Sequence, residues 1–538
     1  MGIHFLQTYI ENQVPESCVP ANIGYQCSKA LTRGRSNVLI VDLMATVGKS
    51  YEGLNHFNGG DFAAFKERWK KFLKRCEDSG IKLIFVTDGV NLKSKRSTWV
   101  RRRYSSLENF VIPTFDALKK HYYPPEDIIH RSRILPCLML SNLLRYEFGY
   151  KDSIFTSSPN QDADKACAAL AETENAFGVL TEDTDFMALQ FSVHTCVFSV
   201  KNLNMESLDT VLYDRSKLAA NLGLELKQLP VFATLKGNDY ISYEELRSFH
   251  YRLLGSKSRR MDYFDVIRSV ASFVRRNLGG NIDYDRLAIQ VFGYQENKPQ
   301  VLKASVESYI LNETDLNEPL GSCNFETKDT GWADLLNLHD NHNSKVFHLM
   351  CGAPYEQSTC LEDYRNTALP KVSHLFSGVR KRLYGILFYE KADALNAERS
   401  EFVISIEEWC MAGPESLDGP QWVKPTIPPT GSHPGLKELW KDRHRREFSE
   451  SSPEKGTNYF LRWKLFSWIV HPLADRLLFQ EIKGEDMYMV CQLFLMQHEP
   501  TQPILAEFEV KAFILMHLRL KSMSCQRHFE LDFVPRPR

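Results

Sequence analysis

Two Asp-x-Asp pairs, Asp162/Asp164 and Asp183/Asp185, constrain this chain more than any other feature. They lie in the stretch Ser158 to Phe186, SPNQDADKACAALAETENAFGVLTEDTDF. Ser158 followed by Pro159 reads as a helix start, a hydroxyl cap and then a residue that tolerates the first turn. Ala166, Cys167, Ala169 and Leu170 supply a small buried face, and the helix is expected to stop near Gly178. Phe177 to Leu180 then reads as a buried strand running into Thr181-Glu182-Asp183-Thr184-Asp185. Four carboxylates thus stand at two neighbouring element ends, and they repel one another unless positive charge lies between them. Divalent cations that prefer hard oxygen ligands, Mg²⁺ or Mn²⁺, meet that demand.

The same pattern recurs upstream. Val38-Leu39-Ile40-Val41 is a β-branched apolar run of the kind buried on both faces in parallel sheets, and it ends on Asp42. Gly59-Gly60-Asp61 opens a helix that Asp61 can cap, with Phe62, Phe65, Trp69, Phe72 and Cys76 on one face and Gly80 closing it. Lys82 to Val86 is a second buried strand, followed by Thr87-Asp88-Gly89. Strand, helix and strand form a right-handed parallel crossover. Further strands are expected at Ser153–Thr156, His194–Val200 and Leu208–Asp214. Helices are expected from Leu135 to Gly149, Asp214 to Leu222 and Leu226 to Leu235. Gly237 terminates the last of these and leaves Asp239 on the loop beyond it.

The fold class is therefore α/β, a parallel sheet flanked by helices, with Asp42, Asp88 and Asp183 at the carboxyl ends of its strands. Ligands bind at that edge of open α/β sheets. Each Asp taken singly also fits a helix cap or a turn. Seven acids at element ends of one domain point instead to a shared metal site. A haloacid-dehalogenase-type phosphatase is excluded because Asp42 is followed by Leu43-Met44 rather than by a second Asp. A dinucleotide binder is excluded because no Gly-x-Gly-x-x-Gly follows the first strand.

Between Gly89 and Leu107 the chain has six basic residues, Lys93, Lys95, Arg96, Arg101, Arg102 and Arg103, no acid, and Trp99 and Tyr104 among them. Alone, such a stripe is a solvated face. Directly after Asp88 it reads as a phosphate-contacting element that supplies affinity without sequence preference. Lys95 and Arg102, seven apart, share a helix face.

Composition bounds the rest. The 538 residues allow two or three domains, and a formal net charge of −1 leaves room for local basic stripes. The 12 cysteines form no Cys-x-x-Cys pair, which argues against a zinc ribbon or a secreted disulfide scaffold and for a reducing compartment. No apolar run approaches the ~20 residues of a membrane span. The opening MGIHFLQTYI does not read as a signal peptide, and Leu6 stands where a myristoylation signal has Ser or Thr. A nuclear or cytoplasmic protein, with no membrane partner, is expected.

Beyond residue 250 the acids at strand ends cease. Phe264–Leu278 and Val301–Leu311 have helical periodicity, Arg380–Tyr389 reads as helix or strand, and 459–480 and 486–497 read as helices. Residues 411–436 contain six of the 24 prolines and read as a linker. The expected division is a catalytic domain over 1–250 and a mainly helical accessory region over 251–538, which leaves room for a protein partner.

The order of MGI, VLIVDLM, IFVTDG, DADKACAAL, VLTEDTDF and LKGNDY resembles the flap endonuclease/XPG family, whose catalytic domain is a PIN-like α/β fold. The likeness spans about residues 1–245. It implies a first metal held by Asp42, Asp88, Asp162 and Asp164 and a second by Asp183, Asp185 and Asp239, two Mg²⁺ or Mn²⁺ in all. It also implies phosphate-steering catalytic roles for Lys95 and Arg102, and a place for Gly2 beside the cleft. Lys93, Arg96, Trp99, Arg101 and Arg103 would then contact nucleic acid, DNA before RNA. The family usually has Glu where this chain has Asp162 and Asp164, a stacking aromatic where it has Gly48 (with Tyr51 out of register), and a helix-hairpin-helix after Asp239 where it has YISYEELRSFHYRLLG. These departures look more like the asteroid branch; a related branch is the constitutive coactivator of PPAR-gamma group. Two readings follow from the resemblance. One is a metal-dependent, structure-selective endonuclease acting on single-stranded, overhang or flap-like DNA, with a role in DNA repair. The other is a catalytically idle interaction protein in signalling or transcriptional regulation.

Overall fold

Val38 to Val41 is apolar on both sides, and the structure, a computed structural model, places it inside a sheet covered on both faces. Residues 2–54, 61–120, 140–141, 143–150, 153–157, 161–255, 262–277, 282–317, 349, 352–357, 362–368, 370–396, 405–410, 419–428, 464–472, 490, 493–497 and 509–515 are described. They divide into two compact units, 1–361 and 362–538.

The first unit is built on β1 (Cys18–Asn22), β2 (Val38–Asp42), β3 (Lys82–Thr87), β4 (Ile154–Thr156), β5 (Gly178–Thr181), β6 (Cys196–Ser199) and β7 (Asp209–Tyr213). These lie in the order β1-β7-β6-β5-β2-β3-β4. Strands β6, β5, β2, β3 and β4 are mutually parallel, with Ile40 opposite Ile84 and Val41 opposite Leu180. Strands β7 and β1 return antiparallel, so the sheet is mixed rather than purely parallel. Cys18–Asn22 carried no strand signal because it contains Pro20. Proline survives there because β1 is an edge strand.

From β2 the chain runs outward to β3 and β4 on one side and later to β5 and β6 on the other. The switch point therefore lies between β2 and β5, and loops leaving their carboxyl ends diverge there to open a crevice. Asp42 ends β2 and Asp183 follows β5 by two residues.

Alternation along β2 separates two cores. Val38 and Ile40 face a cluster with Val86, Val179 and the helix Ala163–Thr173. Leu39 and Val41 face Phe85, Leu180, Phe198 and the helix Phe62–Asp78, whose Phe65, Trp69, Phe72 and Cys76 are buried. Phe62 is exposed, and Asp61 adopts φ 47° without a side-chain cap bond, so the expected cap is not made.

The helix over 163–173 begins with Asp162 as its cap; Ser158 and Pro159 lie outside the described residues. It stops at Thr173 rather than near Gly178, because Asn175 turns the chain at φ 49°. Gly178 instead sits in β5, where a Cβ would come within 2.4 Å of the Phe198 ring. Ala166 through Ala171 are all buried, as expected of a helix enclosed on every side.

Helices Tyr263–Asn277, Tyr284–Phe292 and Lys298–Glu307, beyond the expected boundary at 250, contribute Val270, Leu287 and Leu302 to the first core. In the second unit, Arg380–Tyr389 falls inside a helix, Ser377–Asn396. Ile406–Trp409 pairs antiparallel with Gln421–Val423, which lies within the stretch read as linker. Two short basic clusters in the sequence, Lys257–Arg260 and Arg443–Arg446, lie outside the described residues. Among the described residues no helix is long and apolar enough to cross a membrane.

Trp69 is fully buried, with its ring centroid 5.6 Å from that of Phe72 and 6.3 Å from that of Phe85. Trp69→Ala is expected to cost about 3–5 kcal/mol, read as a lowered urea midpoint at unchanged slope.

Candidate metal centre

The parallel strands deliver their acids to one crevice. Asp42 accepts hydrogen bonds from the Ala45 N–H at 3.2 Å and from the Thr181 hydroxyl at 2.9 Å. Asp183 accepts the Asp185 N–H at 2.9 Å, and Asp162 the Ala163 N–H at 3.1 Å. Capping and clustering thus hold together: an N-cap pins each carboxylate at the element end that faces the crevice. One ligand oxygen each from Asp164, Asp183 and Asp185 lies within 4.8 Å of the others. This is an all-oxygen, anionic set of the chemistry that Mg²⁺ and Mn²⁺ take, and the three residues fit such an ion.

Gly2 lies against this group at φ +80°. A Cβ there would stand 2.0 Å from Asp183 Oδ1. The Ile3 N–H donates to the Thr184 hydroxyl at 2.8 Å and fixes the approach.

Crowding shows in the protonation equilibria. Burial, then Asp88, pushes the Asp42 carboxyl up to about 7. Asp88 reaches the surface, yet the surrounding protein, then Asp162, pushes it up to about 6. Asp164 and Asp185 are held well above the usual carboxylate range, by burial first and then by Asp183; burial also raises Asp183. Burial disfavours the Lys95 ammonium, but Asp162, Asp239, Asp164 and Asp185 outweigh it and keep it charged.

The grouping differs from the one implied by resemblance. Lys95 pairs with Asp162, lies 3.6 Å from Asp239 Oδ2, and sits 5.4 Å above the Tyr240 ring. Arg102 also pairs with Asp239, so both cations reach one acid, Lys95 from the turn Lys93–Lys95 and Arg102 from the helix Arg96–Ser106 that follows it. Asp162 and Asp239 are thereby engaged by side-chain cations, whereas Asp164, Asp183 and Asp185 form the compact set.

The rest of the basic run divides. Lys93 and Arg101 are exposed on the turn Lys93–Lys95 and the helix Arg96–Ser106. Arg96 pairs with Glu356, which also accepts from Asn91 Nδ2 at 2.6 Å. Trp99 is buried, with the Arg96 and Arg103 guanidinium groups 5.7 and 5.4 Å from its ring, so it anchors the helix rather than presenting a stacking face. Tyr51 stacks on Phe65 at 4.5 Å on the core side, and does not replace the ring missing at Gly48.

Two contributors carried no sequence signal. Tyr309, 124 positions from Asp185, donates its hydroxyl to Asp185 Oδ1 at 2.8 Å. Glu356 reaches the base of the basic helix across 260 residues. Asn238 lay in the GNDY motif, and its amide donates to the Tyr309 hydroxyl at 3.1 Å.

The chain is thus an α/β protein with a carboxylate-lined crevice at its topological switch point. Among curated proteins it is similar to constitutive coactivators of peroxisome proliferator-activated receptor gamma. The human protein of that name is 30% identical over 285 residues, 52% of this chain and 30% of that protein. The human constitutive coactivator of PPAR-gamma-like protein 1 is 25% identical over 331 residues, 55% of this chain and 28% of that protein. This chain therefore spans less than a third of either. A model of the FAM120A-like domain matches residues 222–313. Among solved structures, the catalytic core of Rad2 with DNA substrate is similar at 17% identity and a TM-score of 0.34, covering 65% of this chain and 98% of that one. Human GEN1 with Holliday junction DNA is similar at 15% identity and a TM-score of 0.34, covering 65% and 77%.

Carboxyls raised above their unfolded range bind more protons in the folded chain. Their stabilisation is complete below about pH 4 and is lost as pH rises through about 6 for Asp88 and about 7 for Asp42. In EDTA the melting temperature is expected to fall between about pH 5 and pH 7.5, less steeply in Asp42→Asn. Mn²⁺ needs the ionised carboxylates, so the stabilisation it adds should grow over the same interval. Melting curves with equal slopes in both proteins would refute this account.

Proposed function

We propose that this chain hydrolyses phosphodiester bonds in nucleic acid as a metal-dependent, structure-selective endonuclease. DNA single strands, overhangs or flap-like ends are its substrates, in nuclear or cytoplasmic DNA repair. The observation that carries this reading is the oxygen set of Asp164, Asp183 and Asp185 within 4.8 Å, beside a crevice edged by Lys95 and Arg102. Bound Mg²⁺ or Mn²⁺ would supply an activated water and neutralise the leaving oxygen. Asp164, Asp183 and Asp185 would hold the ion, with Asp42 and Asp88 next to them. Lys95 and Arg102 would exchange their carboxylate partners Asp162 and Asp239 for the scissile phosphate and stabilise its developing charge. Exposed Lys93 and Arg101 would contact the backbone further out.

A second reading is favoured by a specific pairing: the two cations expected to meet phosphate are already matched to acids of the same chain. On that reading the crevice is closed by its own charges, and the chain serves as an interaction module in transcriptional regulation, as the names of its homologues suggest. A protein partner would then engage it.

The two are separated by labelled single-stranded, overhang, flap and bubble substrates with Mn²⁺. Cutting by the wild-type chain, abolished in Asp183→Ala with Asp185→Ala and slowed about 10²–10³-fold in Lys95→Ala, supports the enzyme. Absence of cutting, together with no calorimetric Mn²⁺ binding at millimolar metal, supports the interaction module.

A further inference from the structure

We infer that Tyr309 is a positioning residue for the metal centre: its hydroxyl fixes the rotation of the Asp185 carboxylate and so sets the affinity of the site for a divalent cation. This rests on the reading of Asp164, Asp183 and Asp185 as metal ligands.

The direction of each hydrogen bond follows from the donors available. Asn238 Oδ1 accepts from the N–H groups of Tyr240 and Ile241, both at 3.0 Å, which assigns the amide and turns its NH₂ the other way. That NH₂ donates to Ser305 Oγ at 2.8 Å and to the Tyr309 hydroxyl oxygen at 3.1 Å. A tyrosine hydroxyl has one hydrogen. With its oxygen accepting from Asn238, the hydrogen goes to Asp185 Oδ1, 2.8 Å away.

Tyr309 is itself held. The residue is 3% exposed within the first core, and its carbonyl accepts the Gln190 N–H at 2.8 Å. Gln190 lies five residues beyond Asp185, so one short segment is tied to Tyr309 at both its backbone and its acid. Carboxylates that bind metal are commonly oriented by such outer hydrogen bonds, whose loss costs about 10–100-fold in metal affinity or activity. Asn238 and Tyr309 both fall within residues 222–313, the span of the FAM120A-like domain match. That span would then be part of the site and not an appendage to it.

The test is Mn²⁺ titration of the full chain by calorimetry and by the electron paramagnetic resonance signal of free Mn²⁺. Wild type is compared with Tyr309→Phe and Ser305→Ala. Tyr309→Phe keeps the buried ring and removes only the donor; it should weaken Mn²⁺ binding about 10–100-fold while melting in EDTA close to wild type. Ser305→Ala removes a buried hydroxyl from the same network without touching Asp185 and should bind Mn²⁺ like wild type. Unchanged affinity in Tyr309→Phe, or equal loss in both variants, would overturn the role of Tyr309 alone. Failure of the wild-type chain to bind Mn²⁺ would overturn both this role and the metal reading beneath it.

Discussion

Repulsion between carboxylates at one sheet edge is the constraint on which the rest of this structure depends. Parallel strands deliver Asp42, Asp88 and Asp183 to the same side of the sheet, and the helix after β4 adds Asp162 and Asp164. Two like charges 4 Å apart repel by about 4 kcal/mol at an effective dielectric of about 20. A fold carrying several such pairs must offset them locally. It does so with N-caps, which give Asp42, Asp162 and Asp183 backbone donors, with Lys95 and Arg102 on the Asp162–Asp239 side, and with the Tyr309 hydroxyl on Asp185. Proton uptake covers what remains, as the upward shifts at Asp42 and Asp88 record.

That division of labour gives the crevice two unlike sides. On one, acids already meet side-chain cations and are close to neutral as a group. On the other, Asp183 and Asp185 each accept a hydrogen bond, which orients a carboxylate without cancelling its charge, and Asp164 lies within the same compact set. On the proposed reading, a small hard cation would take the second side, and a phosphate the first once it displaces the resident acids from Lys95 and Arg102.

The helices beyond residue 250 belong to this arrangement physically. Their apolar faces complete the core against which β2 and the helix Ala163–Thr173 pack, and one of them ends by presenting Tyr309 to Asp185. Tyr309 thus reaches Asp185 from outside the span of residues 1–245 in which the sequence motifs lie.

Local chemistry made much of this legible in advance. Apolar runs ending in Asp announced β2, β3 and β5 with the correct carboxyl edge, and Gly237 announced the loop that carries Asp239. The seven-residue spacing of Lys95 and Arg102 set them toward one acid, Asp239, although Lys95 sits on the turn before the helix that carries Arg102. These follow from periodicity, capping and glycine conformation, which act over a few residues. Other features were decided only by packing. Trp99 is buried with two guanidinium groups over its ring, β1 exists because β7 offers it an edge, and Lys95 prefers Asp162 and Asp239 over solvent. Tyr309 and Glu356 reach their partners across 124 and 260 positions, respectively. No local pattern encodes a contact of that span; it arises when the sheet and its helices close around one crevice.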